Sequence, residues 1–156
     1  MALAGMSTLG IQFSYGVESS AGEKPSSFKE LTRINSIGGL SLETEQIDAS
    51  ALVDDVTRYV AGRSDSGGSL DVDVNITADT IKEWEDVITA YKGLGEGLSM
   101  WFQIAHPQME NAFFVTAQPP KKIPVPESGQ NELWVVTFTL VVEDYKDMSA
   151  KVAPSV

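Results

Sequence analysis

The sequence predicts a mainly β fold: an antiparallel β-sandwich or barrel, one flanking α-helix over about residues 80–92, and an extended loop arm over about residues 48–68. Three observations lead there. About seven short segments carry apolar residues at alternate positions, as half-buried strands do. A single segment carries a helical apolar stripe. Strands and helices do not alternate along the chain, which argues against a parallel βαβ sheet.

Residues 1–10 are small and polar and read as a flexible arm. Ile11-Gln12-Phe13-Ser14-Tyr15 alternates and reads as a strand. Gly22, Pro25 and their serines make residues 18–27 a loop. Leu31 to Ile37 reads as one strand, ended by Gly38-Gly39, and Leu40 to Ile47 alternates again, with Leu42 opposite Glu43 and Glu45.

The arm follows. Asp48-Ala49-Ser50 and Ser64-Asp65-Ser66-Gly67-Gly68 are loop-like. Between them Leu52, Val53, Val56, Tyr59 and Val60 are apolar without a lasting period. A long segment of this kind inside a compact domain tends to be functional.

Ser69 to Thr77 is the clearest strand. Leu70, Val72, Val74 and Ile76 line one face, and Asp71, Asp73 and Asn75 line the other. The polar face is expected to meet solvent or a lumen, because burying unpartnered carboxylates costs several kcal/mol each.

In the helix, Thr80 and Glu83 have capping-box spacing, Ile81, Trp84, Val87, Ile88 and Tyr91 form the apolar stripe, and Gly93 offers a left-handed stop. Strands are expected over 100–105, 112–118 and 133–144, the last with Trp134, Val136, Phe138, Leu140 and Val142 on one face. A loop with Pro124, Pro126 and Gly129 precedes it, and residues 146–156 read as a flexible C-terminal arm. Trp101-Phe102 and Phe113-Phe114 place aromatics on both faces of their strands, so one residue of each pair faces outward or meets a second layer.

The length of 156 residues fits a single domain over 1–156. Without cysteine, disulfides and thiolate metal sites are excluded. No apolar run approaches the ~20 residues of a membrane helix, and residues 1–7 lack the features of a signal peptide. The 22 Asp and Glu against 11 Lys and Arg give a net charge of −11, which argues against a phosphate-binding surface.

Candidate chemistry is thin. His106 is the single histidine, and nothing in the sequence supplies an orienting partner or a nucleophile. Asp71-Val72-Asp73-Val74-Asn75 begins like a calcium loop, but Ile76 and Lys82 occupy the glycine and glutamate positions. Gly93, Gly95 and Gly97 follow a helix, whereas a phosphate-cradling loop opens one. Neither a catalytic, a cofactor nor a metal site is expected.

Three stretches, in this order and spacing, carry a family resemblance. They are Leu42 to Asp54, then Tyr59 to Gly68, then Thr80 to Tyr91 followed by Trp101-Phe102 and Ala112-Phe113-Phe114. Across roughly Gly10 to Tyr145 the chain resembles the major tail tube proteins of long-tailed, non-contractile phages. The resemblance implies a structural subunit of the virion tail, assembled in the host cytoplasm, that forms hexameric rings stacked into a tube for DNA ejection. It implies tape-measure, tail-tip and tail-terminator proteins as partners, with DNA passing through the lumen unbound and no membrane contact. It places the subunit interface at Ile47, Asp48, Leu52, Val53, Val56, Tyr59, Val60 and Arg63. A secretion-system-type tube subunit is the nearest alternative, and a small-ligand-binding β-barrel a more distant one.

Overall fold

The computed structural model describes residues 4–41, 43–65 and 68–155, with backbone alone at 43–45 and 62–65. Leu42, Ser66 and Gly67, which the sequence reading places in a strand and a loop, lie outside the described residues. The described residues form a seven-stranded antiparallel sheet, a separate two-stranded ribbon and one helix.

In chain order the elements are β1 (Gln12–Val17), β2 (Lys29–Leu31), β3 (Ile34–Ile37), β4 (Glu43–Asp48), β5 (Tyr59–Asp65), β6 (Ser69–Asn75), α1 (Ala78–Lys92), β7 (Met100–Ala105), β8 (Asn111–Gln118) and β9 (Val135–Ala150). The large sheet runs β2-β1-β7-β8-β9-β6-β3, and β4 pairs only with β5. Mainly β with one helix is therefore the observed class, and a curl in the sheet makes it barrel-like.

That curl follows from connectivity. β2 and β3 lie at opposite edges of the sheet, yet only Thr32 and Arg33 separate them. Three peptide links span at most about 11 Å, so the two edges must come back to meet. The expected single strand from Leu31 to Ile37 is thus two strands broken at a corner. Arg33 marks the break with φ of 55°, a left-handed conformation that no continuing strand adopts. The helix holds this corner. Glu83 accepts from the Thr32 amide at 3.0 Å and from its hydroxyl at 2.8 Å.

Glu83 is consequently not the capping residue its spacing suggests. The helix begins two residues earlier than about residue 80, with Thr77 as N-cap in a reciprocal pair with Thr80. Its C-cap, Gly93, is right-handed at φ −85° and not left-handed.

All seven strands contribute to one core cluster. Trp84 of α1 sits fully buried within it. Its ring lies 4.1 Å from that of Phe138, nearly parallel, and 6.4 Å from that of Phe13 on its other side. Trp134, expected on the same face as Phe138, is instead 51% exposed ahead of β9 and bonds Ser128 through its indole N–H.

A second, smaller cluster covers the other face of β1, β7 and β8. It holds Trp101, Ala105, Ala112 and Phe114 beneath Phe28, with Val152 beside them. The second layer beside Trp101-Phe102 therefore comes from the same chain. Phe102 enters the main core and Trp101 the second one. Gly16 allows the close approach, since a Cβ there would stand 2.7 Å from the Ser27 carbonyl.

The C-terminal reading needs correction. β9 continues to Ala150, beyond the expected end at residue 144. Two register shifts against β8 hide it, the second at Asp147 with φ of 63°. Each bulge offsets the alternation by one residue, so the period-2 pattern stops reading as a strand. Beyond β9, the Gln103 amide bonds both the N–H and the C=O of Val152, and Ser155 forms a parallel bridge to Lys29.

Candidate subunit interface

The expected loop arm over 48–68 is for the most part a hairpin. β5 pairs antiparallel with β4, with Ile47 opposite Val60 and Asp48 opposite Tyr59. Its alternation is invisible in the sequence because the successive residues Gln46 to Asp48 and Tyr59 to Ala61 are all exposed, so neither face there requires apolar residues. Ile47, Tyr59 and Val60 are each about half exposed. A two-stranded ribbon alone is marginal in water.

The tip, residues 49–58, is built from its own polar groups. Ser50 N–H donates to Asp48 Oδ1 at 2.9 Å, Ala51 N–H to Asp54 Oδ2 at 2.8 Å and Arg58 N–H to Ser50 Oγ at 2.8 Å. Arg58 also pairs with Asp54 at 3.2 Å. The Ser50 hydrogen bonds, backbone first and then hydroxyl, hold the Asp48 carboxyl below its ordinary pKa against a small opposing effect of burial. This loop carries a cluster of exposed apolar residues: Leu52 at 108%, Val53 at 88% and Val56 at 71%. Seven of the eight expected interface residues thus present side chains on one projecting element. Arg63 lies on β5, and its side chain is outside the described residues.

The polar face of β6 points away from the core. Thr139 donates to Asp71 and Thr137 to Asp73, each across the strand pairing, and Ser36 adds a 2.8 Å bond to Asp73. Asn35 bonds Asn75 at 2.9 Å. Asp71 is exposed, Asp73 and Asn75 half-buried. The result is an ordered polar row across β3, β6 and β9.

Two concavities flank these elements. A cleft of about 800 Å³ opens beside β3, with Leu9, Ile37, Leu40, Ile104 and Phe113 among its walls and no charged residue. A groove of about 820 Å³ lies between the end of α1 and the segment after β8. Tyr91, Leu98 and Val141 line it, together with Lys92, Lys121 and Lys122. Sequence reasoning missed this groove. Its one sequence trace is Lys121-Lys122 after two prolines in an acidic chain.

Several solved structures share this fold. One is a chain of the anti-feeding prophage (AFP) baseplate, seen by cryo-electron microscopy with 6-fold symmetrisation. It matches with a TM-score of 0.53 and 12% identity over 96% of this chain and 98% of that one. Another belongs to the sheath/tube terminator, in the extended state, of the extracellular contractile injection system PVC. There the TM-score is 0.56 and the identity 15%, over 89% of this chain and 94% of that one. No family model and no curated protein matches the sequence. The fold is therefore one shared with chains of a prophage baseplate and of a contractile injection system, whereas the sequence resemblance is to the tail tubes of non-contractile phages.

His106 is placed as a turn residue. Its Nδ1 accepts from the Gln108 amide at 3.1 Å, which leaves Nε2 to donate to the Ser7 carbonyl at 2.7 Å. The contact ties the N-terminal segment to the β7–β8 turn. Among the described residues no three His, Asp or Glu side chains converge in a metal-ligating arrangement.

Proposed function

We propose that the chain is a structural tail protein that assembles with copies of itself into hexameric rings, stacked as a conduit for DNA ejection. The observation that carries this reading is the projecting hairpin, whose apolar tip is exposed yet internally ordered. A side chain of this kind gains roughly 1.5–3 kcal/mol on full burial. Burial of Leu52, Val53 and Val56 offsets part of the cost of association, and the hydrogen bonds within the tip lower the ordering share of that cost. The likeness to a chain from a 6-fold symmetrised baseplate supports rings of six.

In this reading Ile47, Asp48, Leu52, Val53, Val56, Tyr59, Val60 and Arg63 form the contact between subunits. The row of Asp71, Asp73 and Asn75 lines a lumen, where carboxylates keep a polyanion from adhering. The net charge of −11 supports passage over capture. Tape-measure, tail-tip and tail-terminator proteins are its partners in the virion tail, and assembly takes place in the host cytoplasm.

Because Asp48 and Tyr59 are paired, a two-residue Asn-Gly turn can replace residues 49–58 without disturbing the ribbon. The expected variant is a folded monomer by circular dichroism and sedimentation, while the parent protein forms rings or tubes by electron microscopy. Persistence of tubes in the variant would overturn the reading. A terminator-like role, favoured by the second structural likeness, is told apart by particle length. Such a protein forms rings that stop, and a tube subunit forms stacks that grow.

A further inference from the structure

We infer that the hairpin tip of one copy seats in the lysine-lined groove of a second copy. The inference rests on the self-assembly reading above and names the surface that reading leaves open.

The tip offers two kinds of chemistry together. Leu52, Val53 and Val56 are apolar and exposed, and Asp48 and Asp55 are exposed carboxylates beside them. Asp54 is already engaged by Arg58 and by the Ala51 amide. A receptor for this tip must be apolar and cationic at once.

The chain has few places that can be cationic, with 11 basic residues in 156. Three of them, Lys92, Lys121 and Lys122, converge on one groove from two separate segments, and all three are exposed. Among the described residues no salt bridge engages any of them. Between the lysines lie Tyr91, Leu98 and Val141, the last 55% exposed. Two carboxylates stand near. Glu143 is occupied by Gln118 and Ser99, each at 3.0 Å, and Glu96 lies in the loop between two glycines of the wall.

One competing receptor is the cleft beside β3; a smaller hollow of about 400 Å³ beside Trp134 holds Lys82 but also Glu85. The cleft has nearly the same volume as the groove, about 800 Å³ against about 820 Å³, but no basic residue lines it. Size does not separate the two, and charge does. Seating Asp48 and Asp55 against an uncharged wall would strip them of water without a counter-charge. In the groove each finds an ammonium group. Tip and groove are different patches of one chain, so the contact is heterologous and propagates from copy to copy until it closes into a ring or extends into a filament.

A chain free of cysteine makes the test direct. Leu52→Cys and Val141→Cys proteins are prepared separately, mixed and oxidised with copper-phenanthroline. The expected result is a covalent dimer in the mixture and in neither protein alone, with a ladder of larger oligomers from the double variant. Adding Lys121→Glu and Lys122→Glu to the groove partner is expected to abolish the dimer, and Asp55→Lys in the tip partner to restore part of it. If Leu52→Cys instead joins Phe113→Cys in the uncharged cleft, the groove assignment is wrong while self-assembly stands. A double variant that closes its disulfide within one chain also overturns the assignment. If the parent protein stays monomeric by sedimentation at every concentration and salt, the self-assembly reading fails first.

Discussion

At the residue scale, a few polar groups decide how the second core is closed. Gln103 is fully buried, and its amide donates to Ser14 Oγ and to the Val152 carbonyl while accepting from the Val152 amide. It acts as a short strand that sews the C-terminal segment to β7. Gln103→Leu keeps the volume but leaves these groups unpaired. The expected loss is about 2–4 kcal/mol in denaturant melts, with faster amide exchange at Val152 and Ser155. Tyr15 gives a pH signature. Burial first, then the carboxylates of Asp86 and Glu83, push its phenol above the ordinary value. The unfolded chain therefore releases this proton at lower pH than the folded one. Stability from Tyr15 is complete below pH about 10 and falls as pH rises through the higher folded pKa. Tyr15→Phe is expected to show a smaller alkaline loss of melting temperature than the parent. Little of this was legible in the sequence, because a buried glutamine or a displaced tryptophan such as Trp134 shows itself only through its partners.

At the scale of elements, legibility followed the burial pattern. β6 and α1 read clearly because each buries one face and exposes the other, so its period survives in the sequence. β5 exposes Tyr59, Val60 and Ala61 in succession, so its start carries no alternation to read. β9 was cut short where bulges break its period. The β2–β3 corner is hidden because Leu31-Thr32-Arg33-Ile34 holds neither glycine nor proline to mark a turn. What makes it a corner is a distant helix residue, Glu83. Glu83→Ala leaves the Thr32 amide and hydroxyl without their acceptor, at a cost of about 1–3 kcal/mol. Hydrogen exchange is expected to quicken at Thr32 and along β2 and β3 while the β7–β8 pairing stays protected. Uniform loss of protection across the sheet would show that the corner is not an independently held element.

At the scale of the whole molecule, one charge balance would govern both the repulsion between copies and the proposed contact between them. Each copy carries −11, so approach at low ionic strength is opposed over a long range. The screening length is about 30 Å at 0.01 M salt, about 8 Å at 0.15 M and about 3 Å at 1 M. The tip–groove contact pairs Asp48 and Asp55 with lysines at the separation of touching side chains, while the net charges act across whole subunits. Salt therefore removes the two effects in sequence. Near 0.15 M the repulsion between subunits is largely screened and the contact pairs persist. Toward 1 M the contact pairs weaken too, leaving the apolar burial of Leu52, Val53 and Val56. Sedimentation across a salt series is expected to show assembly rising from 0.01 M to about 0.15 M and then levelling or declining. The Lys121→Glu, Lys122→Glu variant carries −15, from −11 less two charges at each of two reversals. It is expected not to assemble at 0.15 M salt and, where higher salt restores some assembly, to show a smaller decline toward 1 M than the parent, since Lys92 alone remains of the three groove cations. A parent protein whose assembly falls steadily from the lowest salt would mean that ion pairs dominate its interface. A steady rise to 1 M would mean that the lysines contribute nothing to it.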